Sequence, residues 1–272
     1  MALTDSTTDL LLPRLLRIPD YQRGYAWERE HVQDFLDDLA LLVPAQKHYT
    51  GTVVLLGSDE HVIDDQSQVL LRADVVDGQQ RLTTVCLLLN ELRRALASQG
   101  LHLAADGLTR QFLLIHKDGI ALPKLQVGDE SKPIWMALLT DTAVPVPETL
   151  SSRRLLAASE QIRSHVDALV DKDATEPGNV TRLRDLVIQS LQFTVYTLQR
   201  SADVGVIFET LNDRGKPLTE LEKVKNYLLF LAARLPEAKQ AALAARINDV
   251  WSRVYRLLLE VARVSPAVAA SI

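Results

Sequence analysis

The stretch VVDGQQRLTTV at residues 75–85 decides the fold that we expect for this chain. The β-branched run that ends at Asp77 predicts a strand, and Gly78 permits a tight turn into a helix. Apolar residues then recur at helical spacing, so one face of this helix is predicted to be buried. They are Leu82, Val85, Cys86, Leu89, Leu92 and Leu96.

This junction of strand, glycine and helix also predicts a phosphate site. The first N–H groups of a helix have no internal partner, and together with the helix dipole they attract an anion. Arg81 would add a planar fork of donors for phosphate oxygens, and Thr83 and Thr84 would add hydroxyl groups. Asp77 could hold a magnesium ion or orient an attacking water molecule.

A structural interpretation of the same residues stays open. Asp77 could cap the helix, with Gln80 completing a capping box three residues later. Gly78 would then serve the turn alone, and Arg81 would be a solvated charge. The sequence contains no G-x-x-x-x-G-K-[ST] motif, so the common P-loop is absent.

The rest of the chain predicts further helices and strands around this junction. Before it we expect a helix over 28–43 and strands over 49–57 and 69–78. After it we expect one strand, over 193–199, and helices over 106–117, 131–140, 150–172, 179–191, 203–211, 218–234 and 236–262. The predicted fold class is therefore α+β and mostly helical. A small α/β unit over 1–100 is followed by a helical unit over 101–272 that contributes its 207–229 block to the same cleft.

That block reads IFETLNDRGKPLTELEKVKNYLL and is rich in cationic and amide groups. Asn212, Arg214 and Lys216 can donate to phosphates, so we predict that their loop faces the 77–81 turn across one cleft. The alternative is a turn between two helices whose charges are solvated.

A third segment, IPDYQRGYAW at 18–27, concentrates aromatic residues in a chain that is only 5% aromatic. Tyr21, Gln22 and Arg23 could stack a base or sugar, and Pro19 would stiffen the approach to them. The alternative is packing alone, which we favour for Trp27 as a contact between the following helix and the core.

Composition limits the function classes. The net charge of −5 argues against general binding to the nucleic-acid backbone, so any such contact must be local. The single cysteine, Cys86, excludes an intrachain disulfide and a cysteine-based metal cluster. The sequence shows neither a secretion signal nor an apolar run of membrane-spanning length. We therefore expect a cytoplasmic protein without a membrane partner.

The three blocks together resemble the GmrS-type N-terminal domain. That domain occurs in GmrSD-like type IV, modification-dependent restriction enzymes and in phosphorothioate-sensing phage-defence proteins. The resemblance covers about 17–262, and the DGQQR sequence followed by LTT is its most specific part. It implies a ParB/sulfiredoxin-like α/β unit with helical additions. Gly24 stands where we expect a bulkier residue or a proline, which predicts a more flexible aromatic loop.

The resemblance also implies Mg²⁺-dependent hydrolysis of a nucleoside triphosphate, either GTP or another, at residues 77–81. With the residue chemistry above, the candidate catalytic residues are Asp77, Gln80 and Arg81, with Asp77 as the metal ligand. The candidate nucleotide-binding residues are Gly78, Gln79, Thr83, Arg23, Asn212, Arg214 and Lys216. The candidate residues for sensing modified DNA are Pro19, Tyr21, Gln22 and Arg23.

The partners implied are modified DNA and a nuclease domain or subunit outside this chain, because the sequence contains no His-Asn-His nuclease motif. A homodimer is a further possibility. Two other functions stay open. The chain could be a non-catalytic sensor that binds phosphorothioated or base-modified DNA, or a ParB-like nuclease. The acidic net charge argues most strongly against the nuclease.

Overall fold

The computed structural model describes residues 2–19, 22–42, 46–173, 175, 177–198 and separate positions between 224 and 257. The chain divides into two compact units. One comprises Met1–Pro19 with Gly24–Arg200, and the other comprises Asp20–Arg23 with Ser201–Ile272. The strands and long helices described below belong to the first unit.

A mixed sheet of six strands forms the centre of this unit, in the order β1-β8-β3-β4-β2-β7. The two longest neighbours, β3 and β4, are antiparallel, whereas β8 and β2 lie parallel to β3 and β4, respectively. The strands are β1 (Ala2–Ser6), β2 (Arg14–Arg17), β3 (His48–Ile63), β4 (Val69–Asp77), β7 (Leu125–Gln126) and β8 (Leu191–Leu198). A separate hairpin consists of β5 (Leu114–Lys117) and β6 (Ile120–Pro123).

Helix α3, which begins at Gln79 within the 75–85 stretch, is the central helix of the core. It packs against α4, α6 and α7, and the apolar residues of its predicted stripe are all buried. Full burial of a leucine side chain contributes about 1.5–3 kcal/mol, so this stripe is a main source of stability. The helices are α1 (Thr7–Leu11), α2 (Arg29–Ala40), α3 (Gln79–Ser98), α4 (His102–Leu108), α5 (Lys132–Leu139), α6 (Leu150–Asp173) and α7 (Asn179–Gln189).

The predicted α+β class is confirmed, and so are the strands at 49–57, 69–78 and 193–199. The first unit extends to residue 200 instead of ending near residue 100, because β8 completes the central sheet between β1 and β3. The predicted helices between 203 and 262 lie almost entirely outside the described residues. No helix in the described part of the chain is long and apolar enough to span a membrane.

One predicted helix, over 106–117, is wrong over its last four residues, 114–117. Helix α4 ends at Leu108, and a π-helical turn over Thr109–Leu113 leads directly into strand β5. Strand β5 pairs with β6, and this tertiary pairing outweighs the local helical pattern. The elements β1, α1 and β2 were not predicted.

Lys124, next to this hairpin, is a buried cation that joins distant parts of the chain. Its Nζ donates to the carbonyl oxygens of Leu12 at 2.7 Å and Gln111 at 2.9 Å. Burial lowers the pKa of Lys124 from 10.5 to about 8, although Asp64 acts in the opposite direction. The lysine therefore joins the turn between α1 and β2 to the π-helical turn that precedes β5.

Candidate functional site

The predicted junction of strand, glycine and helix is present. Strand β4 ends at Asp77, Gly78 is the N-cap residue with a φ of 90°, and α3 begins at Gln79. A Cβ atom on Gly78 would lie 2.9 Å from the carbonyl oxygen of Thr52 and 3.0 Å from Val53 Cγ2. Both the left-handed backbone and the close approach to β3 therefore require glycine here.

A pocket of about 240 Å³ opens beside this junction. Arg81 is the residue of the 77–81 turn that lines it, whereas Gly78 and Gln79 are buried and are not in its wall. The other lining residues come from the α2 region, the start of β3 and the start of β8. They are Trp27, His31, Asp34, Phe35, Asp38, Leu39, His48, Tyr49, Thr50 and Leu191.

Arg81 is half-buried, and its guanidinium group lies directly over the backbone of Gly51. A Cβ atom on Gly51 would be 2.9 Å from Arg81 Cζ and Nη1, and the φ of Gly51 is 135°. Gly51 follows an irregularity in the pairing of β3 with β8, which lets the strand depart from the regular sheet. The glycine therefore provides the space in which this arginine side chain sits.

Within the described residues, the guanidinium of Arg81 makes no hydrogen bond and no salt bridge. Five other described arginines also have neither a side-chain hydrogen bond nor a carboxylate partner, but all five are exposed to solvent: Arg29, Arg110, Arg153, Arg182 and Arg246. A half-buried cation has lost part of its hydration, and an anion in the pocket would compensate it. This is the electrostatic feature that points to a ligand.

The pocket combines an aromatic wall with polar groups. The rings of Trp27 and His31 stack with centroids 6.3 Å apart and an interplanar angle of 20°. His31 Nδ1 accepts a long hydrogen bond of 3.4 Å from the Glu28 backbone N–H, which leaves Nε2 for a ligand. An apolar wall with a few convergent polar groups is typical of small-molecule sites.

We predicted a catalytic role for Gln80 and nucleotide binding for Thr83. Both side chains instead make hydrogen bonds within the protein. Gln80 Oε1 accepts from the Ala26 N–H at 2.7 Å, and its Nε2 donates to the Gly24 carbonyl at 3.0 Å. The Thr83 hydroxyl donates to the Gln79 carbonyl at 2.8 Å and is buried. Neither side chain lines the pocket. These contacts indicate that Gln80 positions the segment that leads into α2.

The same segment is fixed by two further contacts. The Tyr25 hydroxyl lies 2.8 Å from Thr84 Oγ1, and burial raises the pKa of Tyr25, so the phenol stays neutral. A Cβ atom on Gly24 would collide with the side chains of Glu130 and Ser151. Gly24 therefore serves close packing against a neighbouring segment, which differs from the flexible loop that we expected at this position.

The remaining candidate residues lie elsewhere. Asp77 is half-buried, has a polar partner and does not line the pocket. Pro19 and Gln22 are buried, and Arg23 is half-buried; Gln22 and Arg23 belong to the second unit. The other four candidates lie outside the described residues: Tyr21, Asn212, Arg214 and Lys216.

The carboxylates that line the pocket belong to Asp34 and Asp38, one helical turn apart on α2. In the described part of the chain, no three His, Cys, Asp or Glu residues come together as a metal site. Mg²⁺ is commonly held by one or two carboxylates together with substrate phosphates and water, so this donor set is compatible with Mg²⁺. The candidate residues chosen from the sequence did not include these two aspartates.

Sequence reasoning also missed Gly51, although a signal for it exists. A glycine inside a β-branched strand, as in TGTVV at 50–54, often marks a bulge or the close approach of another group. What the sequence does not reveal is which group approaches, and in the structure it is Arg81.

The sequence matches the profile of a known protein family. The sequence profile described as the N-terminal domain of the GmrSD restriction endonuclease matches residues 3–229. No curated protein sequence matches the chain. The matched region contains the junction at 75–85, the aromatic segment at 18–27 and the block at 207–229.

Proposed function

The chain belongs to the family of GmrSD restriction endonuclease N-terminal domains, and on this premise we propose that it binds and hydrolyses a nucleoside triphosphate. In this proposal, hydrolysis uses Mg²⁺ and regulates DNA cleavage by a nuclease domain or subunit. The family connects the chain with restriction-type phage defence. The observation that supports nucleotide binding is Arg81, a half-buried guanidinium that has no partner among the described residues and lines a pocket of about 240 Å³.

In this proposal, Arg81 holds phosphate oxygens. A guanidinium donates two parallel hydrogen bonds to a phosphate, and each contact to a charged group contributes about 1.5–3 kcal/mol. The pocket is smaller than the roughly 300–1,000 Å³ of sites for drug-sized ligands, so it suits part of a nucleotide, such as its phosphates. His31 lines the same pocket, and its Nε2 would provide a further donor.

Mg²⁺ would neutralise charge on the phosphates when bound. Asp34 and Asp38 line the pocket and would hold the ion from the α2 side. Asp77, the residue first assigned to the metal, ends the strand four positions before Arg81 and remains the alternative ligand or the group that orients the attacking water. Hydrolysis itself transfers the terminal phosphoryl group to water and releases a nucleoside diphosphate and inorganic phosphate.

Gln80 has an indirect part in this proposal. Its amide fixes the backbone of Gly24 and Ala26, and Trp27 and His31 of the pocket wall follow directly in the chain. A change at Gln80 is therefore expected to move the aromatic wall rather than to remove a contact with the phosphates.

The test is phosphate release from each of the four NTPs with Mg²⁺, with and without modified DNA. Arg81→Ala should abolish turnover and leave the protein folded. Arg110→Ala removes an exposed arginine that has no carboxylate partner and serves as the control. Asp77→Asn should be compared with the Asp34→Asn/Asp38→Asn double variant. The variant that has lost the Mg²⁺ ligand should need a higher Mg²⁺ concentration for turnover.

The outcomes separate the open functions. Wild-type turnover in folded Arg81→Ala would refute the assignment of Arg81. Loss of folding would instead support the capping and packing interpretation of the junction. Nucleotide binding without turnover in the wild-type protein would favour the non-catalytic sensor of modified DNA.

A further inference from the structure

A second depression in the first unit, of about 490 Å³, carries arginines from two helices. Arg93 and Arg94 come from α3, and Arg163 comes from α6. The floor and the remaining rim consist of Ala97, Ala137, Leu138, Asp141, Thr142 and Val144. We call this depression the arginine pocket. It shares no lining residue with the pocket at Arg81.

Arg163 forms a salt bridge with a buried carboxylate. Glu91 is 2% exposed, and it accepts from Arg163 Nε at 3.0 Å and Nη2 at 3.3 Å. The Ser159 hydroxyl donates to the same carboxylate at 3.1 Å. Glu91 raises the pKa of Arg163, and removal of either partner would leave a poorly compensated charge. Arg163 therefore serves the structure and is not the contact for a ligand.

Arg93 and Arg94 both pair with one exposed carboxylate, although Arg94 Nε also lies 3.6 Å from Glu91 Oε2. Arg93 Nη1 lies 2.8 Å from Asp141 Oδ2, and its Nη2 donates to Oδ1 at 2.9 Å. Arg94 Nη1 donates to Oδ1 at 3.2 Å. The side chain of Asp141 is 47% exposed. Two guanidinium groups thus surround a single oxyanion at the mouth of the pocket.

The position of Asp141 allows an oxyanion from a ligand to replace its carboxylate. It has a φ of 54° and lies directly beyond α5, at the beginning of an exposed segment that contains Pro145 and Pro147. Arg93 is only 13% exposed, but Asp141 is 47% exposed, so another oxyanion can reach this position from solvent and accept the same charge-assisted hydrogen bonds in place of the carboxylate. A phosphate diester offers the same pair of acceptor oxygens that two arginines recognise in a carboxylate.

We propose that Arg93 and Arg94 bind a backbone phosphate of DNA, and that Asp141 occupies this site until DNA displaces it. A local site of this kind explains how a chain with a net charge of −5 contacts DNA at one point without general affinity for its backbone. The proposal takes DNA as the polyanion because the chain belongs to a restriction family. It does not depend on nucleotide hydrolysis at Arg81.

The test measures the dissociation constant for a short DNA duplex at several salt concentrations. Arg94→Gln should weaken binding by about tenfold or more and reduce the slope of log K against log salt by about one contact. Asp141→Asn should act in the opposite direction, with tighter binding and a steeper slope, because the internal competitor is lost.

Two controls match these charge changes outside the pocket. Asp59→Asn removes an exposed carboxylate on β3, and Arg110→Gln removes an exposed arginine before β5. If Asp141→Asn tightens binding no more than Asp59→Asn, only the net charge matters and the proposal is wrong. Equal affinities of Arg94→Gln and Arg110→Gln would overturn it as well.

Folding and nucleotide turnover must be measured for each variant. Arg93 is 13% exposed and also donates to Asn90 Oδ1 at 3.1 Å, whereas Arg94 is 40% exposed and its contact with Glu91 is longer, at 3.6 Å, so Arg94 is the safer position to change. Arg94→Gln is expected to keep wild-type NTP turnover in the absence of DNA. Conversely, Arg81→Ala should lose turnover and keep its affinity for DNA, which separates failure of this proposal from failure of the proposed function.

Discussion

Replacement of Gly51 by alanine should weaken nucleotide binding, although Gly51 does not line the pocket. The new Cβ atom would lie 2.9 Å from Arg81 Cζ and Nη1. Real contacts of Cβ atoms are longer, so the guanidinium must move. The guanidinium is the far end of a flexible side chain, and its movement costs little stability. Loss of its contact with a phosphate would cost about 1.5–3 kcal/mol, which weakens binding about 10- to 150-fold.

The backbone adds a separate cost. Gly51 has a φ of 135°, where a residue with a side chain is strained by about 1–3 kcal/mol. For a protein of this size, 1 kcal/mol corresponds to about 2–4 °C in Tm. We therefore expect the Tm of Gly51→Ala to fall by about 2–12 °C, while the protein remains folded at room temperature.

The assay is Tm by scanning calorimetry together with the NTP dissociation constant and turnover. Gly100→Ala and Gly119→Ala are matched controls. Both glycines have a positive φ, 76° and 74°, but no heavy atom would lie within 4 Å of the new Cβ. They should lower Tm and leave nucleotide affinity unchanged. If Gly51→Ala behaves like these controls, the placement of Arg81 over Gly51 has no part in nucleotide binding, and the reasoning fails.

Three further predictions concern other parts of the chain. Gly24→Ala should lower Tm because its Cβ collides with Glu130 and Ser151, whereas Gly107→Ala, with open space around it in α4, should leave Tm unchanged or raise it. The pKa of Lys124 is about 8 in the folded protein against 10.5 for an ordinary lysine. Below pH 8 the buried charge destabilises the folded state by its full amount. Between pH 8 and 10.5 the folded protein loses this proton while the unfolded chain keeps it, so the destabilisation decreases. Unfolding free energies should therefore rise with pH over that range in the wild-type protein relative to Lys124→Met, and parallel profiles would contradict the burial argument. Finally, Arg81→Ala/Arg214→Ala should weaken nucleotide binding by less than the sum of the single changes if both residues bind one ligand, and full additivity would argue against a shared site.

Local sequence signals predicted the elements that have a strong periodicity of their own. The buried stripe of α3 and the β-branched runs of β3 and β4 correspond to their observed positions. Strand β1 and helix α1 were missed because each has only five residues, too few for a pattern to be evident. Ser6 does carry a signal, because its hydroxyl and the Asp9 carboxylate form a capping box at the start of α1.

The candidate site was only partly predictable for a different reason. Residue chemistry identified Arg81, because a cation at a helix start is a local feature. It could not distinguish Arg81 from Gln80 and Thr83, which belong to the same motif but make hydrogen bonds with the protein itself. That distinction depends on which neighbours the fold brings to each side chain, and Ala26 comes from a segment 54 positions away in the chain.

The pairing of β3 with β4 is what unites Gly51 and Arg81. In this antiparallel pair, Val54 lies opposite Asp77, so residues before Val54 lie opposite those that follow Asp77. Gly51 precedes Val54 by three positions, and Arg81 follows Asp77 by four, which places the first turn of α3 over the glycine. The sequence shows a glycine within a strand and an arginine within a helix, but the register between the strands is a tertiary property. A shift of this register by one residue would place Thr50 or Thr52 beneath the guanidinium, and the side chain of either would occupy the space that Arg81 needs.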